Sequence, residues 1–262
     1  MVEADTLSDG WLETLRMVRL QPDHSMFHTF TTIWRPLIEI NEVRAACNQL
    51  LSDLGLQSVK TVANTIFPSS YATIDTSVST LSERYLRSYP MIRKLQPHRG
   101  DTYFGRLVSY PLTTSPTNQL ERLIANLRSE LRSSTPKKTR YELLFESPSE
   151  QTTGELATQS AIVRAVTDNQ IMGFPCLSMC SLQLDQGHMH LLAHYRHEYL
   201  VERGYGNYLG LARLLEFVSR QISVPPGRLT VVTGRAEADK ALRKTDALFA
   251  AVDAQSRTEI AI

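Results

Sequence analysis

A thiol, a guanidinium and a carboxamide stand at fixed intervals in the second half of this 262-residue chain: Cys176 behind Pro175, Arg196 twenty residues on, and Asn207 eleven beyond that. Only a few per cent of an ordinary thiol is ionised near neutral pH, so a cysteine nucleophile needs a neighbouring cation to lower its pKa. Arg196 is the candidate cation. Asn207 carries one acceptor and two donors, the set required to read a polar ligand edge, and it is also a good N-cap for the apolar helix predicted after it. A cysteine on a strand is also commonly a small core residue, which is how Cys180 reads. A rival set, His188, His190, His194 and His197 with Cys176 and Cys180, could ligate zinc, the first three sharing a strand face at period two. With no CxxC or HExxH spacing, no metal is expected there.

The elements that must position these residues can be read from periodicity. FPCLSMCSLQL, the turn Asp185-Gln186-Gly187 and HMHLLAHYRH predict a β-hairpin that opens at Cys176. From Asn207, the apolar set Leu209, Leu211, Leu214, Leu215, Val218 and Ile222 predicts a helix, ended by Ser223-Val224-Pro225-Pro226-Gly227. Leu229 to Thr233 reads as a buried strand, and residues 240–253 as a last helix. Upstream, the spacing predicts helices over 37–54 with Gly55 as the stop, over 81–89, and from an Asn118 N-cap through NQLERLIANLRSELRS. Residues 59–79 read as loop with short extended pieces, because Pro68 and an excess of Ser and Thr interrupt the β-branched residues. The turn-rich run Pro97 to Asp101 is expected to form an active-site or interface loop. Arg140 to Phe145 reads as a strand that leaves the basic loop Thr135-Pro136-Lys137-Lys138, with Pro148 breaking it.

Composition bounds what these elements can do. With 42% hydrophobic and 21% charged residues, the chain is neither disordered nor fibrous. Lys+Arg 28 against Asp+Glu 27 leaves a net charge of +1, which excludes bulk electrostatic binding to nucleic acid or to anionic membrane. The three cysteines, an odd number, offer no disulfide framework and suit a reducing compartment. No secretory signal and no run of about 18 to 20 apolar residues is evident, so a cytoplasmic protein is expected. Without repeat or linker, residues 1–262 are expected to form a single domain.

The segment from Phe174 to Gly234 resembles the nucleophile region of the thymidylate synthase family, which includes pyrimidine-nucleotide hydroxymethylases. There a Pro-Cys opens a hairpin, an Arg follows at the same spacing, an Asn or Asp reads the pyrimidine, and a Pro-Gly step precedes a further strand. TYFGR resembles the family's Tyr-Gly-Lys/Arg segment, and NQLERLIANLRSE with Arg140-Tyr141-Glu142-Leu143-Leu144 resembles its helix, basic residues and strand. The likeness covers residues 100–240, leaving 1–95 as a divergent N-terminal part.

The resemblance implies a thymidylate-synthase-like α/β (α+β) fold, a twisted mixed sheet with flanking helices, in a homodimer. It implies one-carbon transfer from 5,10-methylenetetrahydrofolate to C5 of a pyrimidine nucleoside monophosphate, by way of a Cys176 adduct at C6. Arg196 would hold the 5′-phosphate as well as activate the thiol, Arg140 would reach a partner's phosphate, and His197 would touch phosphate from the nucleotide floor. Asn207 would donate to O4 and accept from N3–H, the uracil pattern, whereas a carboxylate would suit cytosine. Tyr195 and His197 flank Arg196 where the family has Gln and Ser, and Tyr199 stands at its folate-contacting Asp. Arg235 to Asp239 replaces its Asp-x-His-x-Tyr sugar segment. Glu237 there could accept from both hydroxyls of a ribose, or could open a solvated helix together with Asp239. The general base is unassigned, with Glu39 and Glu42 as candidates by default. Two other functions suit these departures: a nucleotide-binding or assembly subunit without turnover, and a folate-independent enzyme of C5 exchange or dehalogenation.

Overall fold

Strands β1 (Val2–Thr6), β2 (Ser25–Arg35), β3 (Glu142–Leu144), β4 (Leu177–Asp185), β5 (His188–Tyr199) and β6 (Pro226–Glu237) form one sheet in the order β1-β2-β6-β5-β4-β3. These come from a computed structural model that describes residues 1–94, 102–109, 117–133, 142–144, 176–239 and 242–260. The sheet is mixed: β1 pairs with β2 and β5 with β6 in parallel, and the other three pairings are antiparallel. A parallel pair needs a long crossover. Helix α1 (Leu7–Arg19) supplies it between β1 and β2, and a further helix over Tyr205–Gln221 supplies it between β5 and β6.

Helix α1 starts because the Thr6 hydroxyl accepts from Asp9 N–H at 3.2 Å, and it buries Leu7, Trp11, Leu15 and Val18 on one stripe. Helix α2 (Asn41–Asp53) ends at Gly55, whose φ of +65° suits a glycine after a helix. Helix α3 (Val59–Ile66) corrects the expected loop over 59–79: the Ser58 hydroxyl caps Thr61 N–H at 3.2 Å, and Val59, Val62, Ala63 and Ile66 are buried. Helix α4 (Val78–Ile92) extends the predicted one at both ends, with Pro90 inside its last turn. Helices α5 (Tyr103–Val108) and α6 (Gln119–Arg132) follow, the latter capped by the Asn118 carboxamide, which accepts from Glu121 N–H at 3.0 Å as predicted.

The crossover helix α7 (Tyr205–Gln221) and α8 (Leu242–Ile260) complete the helices. A wide helical turn of the π type, Leu200–Gly204, joins β5 to α7 without a break, so Asn207 lies inside the first turn of α7 and is not its N-cap. Close packing of α7 on α3 depends on glycine. A Cβ on Gly206 would lie 2.5 Å from Val62 Cβ, and one on Gly210 would lie 2.8 Å from the Ala63 carbonyl oxygen. Inward positions of the strands, among them Ile33, Val231, Leu191 and Ala193, pack with Trp11, Leu15, Leu214 and Val218 into the core. Alternate positions Phe30, Trp34 and Leu192 are 45%, 51% and 37% exposed.

Candidate active site

The predicted hairpin forms as β4 and β5, turned by Gln186 at φ +47° and Gly187 at φ +77°, the left-handed pair of a two-residue turn. It sets Cys176 and Arg196 side by side: Arg196 N–H donates to the Cys176 carbonyl at 2.8 Å. A bulge between Leu177 and Met179 follows at once, where the Ser178 hydroxyl donates to the His194 carbonyl at 3.1 Å. Bulges re-aim the neighbouring side chain, and this one adjoins the thiol. On the other flank Gly234 lets β6 approach, since a Cβ there would sit 2.7 Å from the Arg196 carbonyl oxygen.

Around Cys176 the structure gathers Tyr103, Tyr195, Glu198, Arg196 and Arg203. The Tyr103 hydroxyl accepts from Leu177 N–H at 3.3 Å, and burial pushes that phenol up to about 12. Burial also raises the Cys176 thiol, and the Glu198 carboxylate adds to the rise; Arg196 and Arg203 pull it down. The expected thiolate-stabilising effect of Arg196 is therefore present but outweighed by desolvation, and the resting group is the thiol.

Sequence reasoning missed Glu198. It is 2% exposed, accepts from Asn207 Nδ2 at 3.0 Å and from Thr233 Oγ1 at 3.1 Å, and is pushed up to about 7 by burial against those two lowering bonds. Its contribution to stability is thus full below its ordinary value of 4.5 and is lost as pH rises through about 7. Tyr195 was also missed as a polar group. Its ring is fully buried, within electrostatic reach of Glu198, Tyr103 and Cys176, and its hydroxyl has no hydrogen-bond partner among the described residues.

An unpaired buried hydroxyl costs roughly 1 to 3 kcal/mol, a cost that a bound ligand could relieve. Tyr195→Phe is therefore expected to stabilise the ligand-free protein by about 1 kcal/mol and to weaken any ligand that pairs with the hydroxyl. Melting curves with and without UMP read both effects. A destabilised variant with unchanged ligand response would show that the hydroxyl is satisfied within the protein.

The other predicted residues are dispersed. Glu237 ends β6, three residues of β5 beyond Arg196 in register, and is held by Arg235 Nε at 2.7 Å and His197 Nε2 at 3.4 Å. It does not open a helix, since α8 begins at Leu242. Asp239 instead accepts from Val201 N–H at 3.0 Å and caps the turn before α7. The His197 ring meets that of Tyr199 at a tilt of 57°, with centroids 4.5 Å apart. Arg140, Lys137, Lys138 and the run Pro97 to Asp101 lie outside the described residues.

Of the default bases, Glu39 accepts from Tyr205 Oη at 3.0 Å and pairs with Arg44, and Glu42 is exposed in the first turn of α2. Neither is among the groups that act on Cys176. The histidines likewise bond to different partners. His188 Nδ1 lies 3.1 Å from the Gln186 carbonyl, His190 Nδ1 accepts from Arg228 N–H at 3.0 Å, and His194 pairs with Ser178. Cys180 is fully buried, its thiol raised by desolvation. Among the described residues no three His, Cys, Asp or Glu side chains form a metal-binding group. Compared with models of known protein families the chain matches none, and no curated protein matches it.

Proposed function

We propose that this chain activates C5 of a pyrimidine nucleoside monophosphate through a covalent Cys176 adduct at C6, with one-carbon transfer to C5 as the outcome that the family resemblance implies. The observation that carries the reading is the pairing of Cys176 with Arg196 across the hairpin, directly beside a buried Glu198–Asn207 pair. A thiol, a cation and a carboxamide are the three groups such a reaction needs; here Cys176 stands just before β4, Arg196 on β5 acts on its thiol, and Asn207 on α7 is bonded to Glu198, which acts on it too.

In the proposed step the thiol gives its proton to solvent water, sulfur bonds to C6, the C5–C6 π pair becomes a C4–C5 double bond, and the C4–O4 π pair moves onto O4 as an enolate. C5 then takes an electrophile, loses its original hydrogen as a proton, and expulsion of Cys176 restores the double bond. Arg196, with Arg203 beside it, favours the thiolate and would hold the phosphate. Asn207 would hold the base edge. Glu237, tied to Arg235 and His197 about 10 Å farther along the strand, would meet the sugar side of the ligand, with His197 toward phosphate.

When bound, 5,10-methylenetetrahydrofolate would supply the one-carbon unit. The residues present do not complete a site for it: the position where the resemblance implies a carboxylate is Tyr199, 40% exposed and tilted against the His197 ring. What these residues can do unaided ends at the C6 adduct and the proton exchange it permits at C5, and this favours folate-independent C5 exchange as the second reading. The exposed Phe30, Trp34 and Leu192 on the sheet support a homodimer, across which Arg140 would reach the partner's phosphate.

Mixing the protein with 5-tritiated UMP, with and without methylenetetrahydrofolate, tests these alternatives. Tritium release only with the folate supports one-carbon transfer, release without it supports C5 exchange, and no release under either condition leaves a nucleotide-binding subunit. Arg196→Ala is expected to weaken UMP about ten- to a hundredfold and uridine hardly at all, because a charge-assisted bond of about 1.5 to 3 kcal/mol to phosphate is lost. Equal losses in calorimetric titrations of the two ligands would remove Arg196 from the phosphate.

A further inference from the structure

Both oxygens of the Glu198 carboxyl group are engaged, Oε1 by Asn207 Nδ2 at 3.0 Å and Oε2 by Thr233 Oγ1 at 3.1 Å, in a position 2% exposed. A carboxamide has a donor end and an acceptor end, which change places when the group turns half a revolution about its last bond. Beside an ionised carboxylate only the NH₂ end can face Glu198, because the carbonyl oxygen would meet another acceptor. A protonated carboxyl group carries a donor and can hold either end.

Uracil presents an acceptor at O4 and a donor at N3, and cytosine presents a donor at N4 and an acceptor at N3. The same half turn of Asn207 that reverses its own pattern therefore exchanges one base for the other. We propose that Glu198 is a positioning residue whose ionisation sets the direction of the Asn207 carboxamide and thereby which of the two pyrimidine bases the site accepts. The inference rests on the reading of Asn207 as the base contact.

Cys176 and Tyr195 from the hairpin and Tyr208 from α7 sense Glu198, and burial raises all three above their ordinary values, so each is neutral near neutral pH. His197, the preceding residue on β5, faces Glu237 and Tyr199. Thr233 from β6 is uncharged, and Arg196 and Arg203 act on Cys176 as fixed cations. The Glu198 carboxyl, held up to about 7 by burial, is the member of the group that changes charge in the neutral range.

Calorimetric titration of the full chain with UMP and with CMP, at pH values about 1.5 units on either side of the Glu198 midpoint, reads the effect because nearly the whole ionisation change falls between them. The ratio of the two affinities is expected to shift by about tenfold or more in wild type and by less than about twofold in Glu198→Gln, whose amide oxygen can still accept from Asn207 while its NH₂ donates to the Thr233 hydroxyl, but which cannot ionise. A ratio that does not move with pH in wild type, or that moves equally in the variant, overturns the inference and leaves the nucleotide reading standing. If neither nucleotide binds at either pH, the reading of the site fails and the inference with it. A measurement on wild type alone covers a variant that fails to fold: the Asn207 side-chain NH₂ resonances of the ligand-free protein must shift with a midpoint near pH 7, and if they do not, the coupling is absent.

Discussion

Cys176→Ser is expected to lower tritium release from 5-tritiated UMP by on the order of a thousandfold or more, while leaving the fold intact. The swap changes one atom at a partly buried position, so the backbone pairing of Cys176 with Arg196 survives. Reactivity does not survive. A serine hydroxyl ionises far less readily than a thiol, and burial at this position already penalises the anion, so the attacking species becomes vanishingly rare. The competing account, a small residue filling space beside Tyr103, makes a different forecast: unchanged turnover, with stability altered only by the small change in packing. Retained tritium release in the serine variant, with denaturant midpoints showing a folded protein, would take Cys176 out of the chemistry.

What could be read from the sequence depended on whether the signal was local. The turn at Gln186 and Gly187 was legible because two residues at positive φ restrict composition strongly, and helix α6 because Asn118 caps an apolar stripe. Helix α3 was not, since Val59, Thr61, Val62, Thr65 and Ile66 are β-branched residues that favour strands when unpacked. What makes it helical is contact with Gly206 and Gly210, more than a hundred residues away in the chain.

The site divides in the same way. Cys176, Arg196 and Asn207 lie on consecutive elements whose spacing shows in the sequence, and the structure brings the last of them to Glu198. Glu198 itself carries no local signature. Tyr195 and Glu198 are both buried although three residues apart, an offset that breaks the period-two pattern as β5 runs into the turn at Leu200. A charged residue at a position the alternation assigns to the outside is the ordinary strand pattern, and Glu198 departs from it only because Thr233 and Asn207 close on it.

The N-terminal third is expected to hold the site together, and Trp11→Ala should show it. Trp11 is fully buried, donates its Nε1–H to the Leu200 carbonyl at 2.8 Å, and meets the Tyr205 ring edge-on at 5.2 Å. Gly204 packs under it, where a Cβ would come within 3.1 Å of Trp11 Cδ1. Truncation removes the packing, worth about 3 to 5 kcal/mol for a large aromatic side chain, and strands the Leu200 carbonyl. Against a total stability of roughly 5 to 15 kcal/mol, that is enough to leave the domain marginal. Because Leu200–Gly204 carries Arg203 and fixes the start of α7, the loss should fall first on the elements that present Arg203 and Asn207. Trp11→Phe keeps most of the ring contact and gives up the N–H bond, so its cost should be nearer 1 to 3 kcal/mol, about that of a buried acceptor left unpaired. Urea midpoints of the two variants measure the difference. A Trp11→Ala midpoint equal to that of Trp11→Phe would show that the aromatic packing contributes little and that the turn is held from elsewhere.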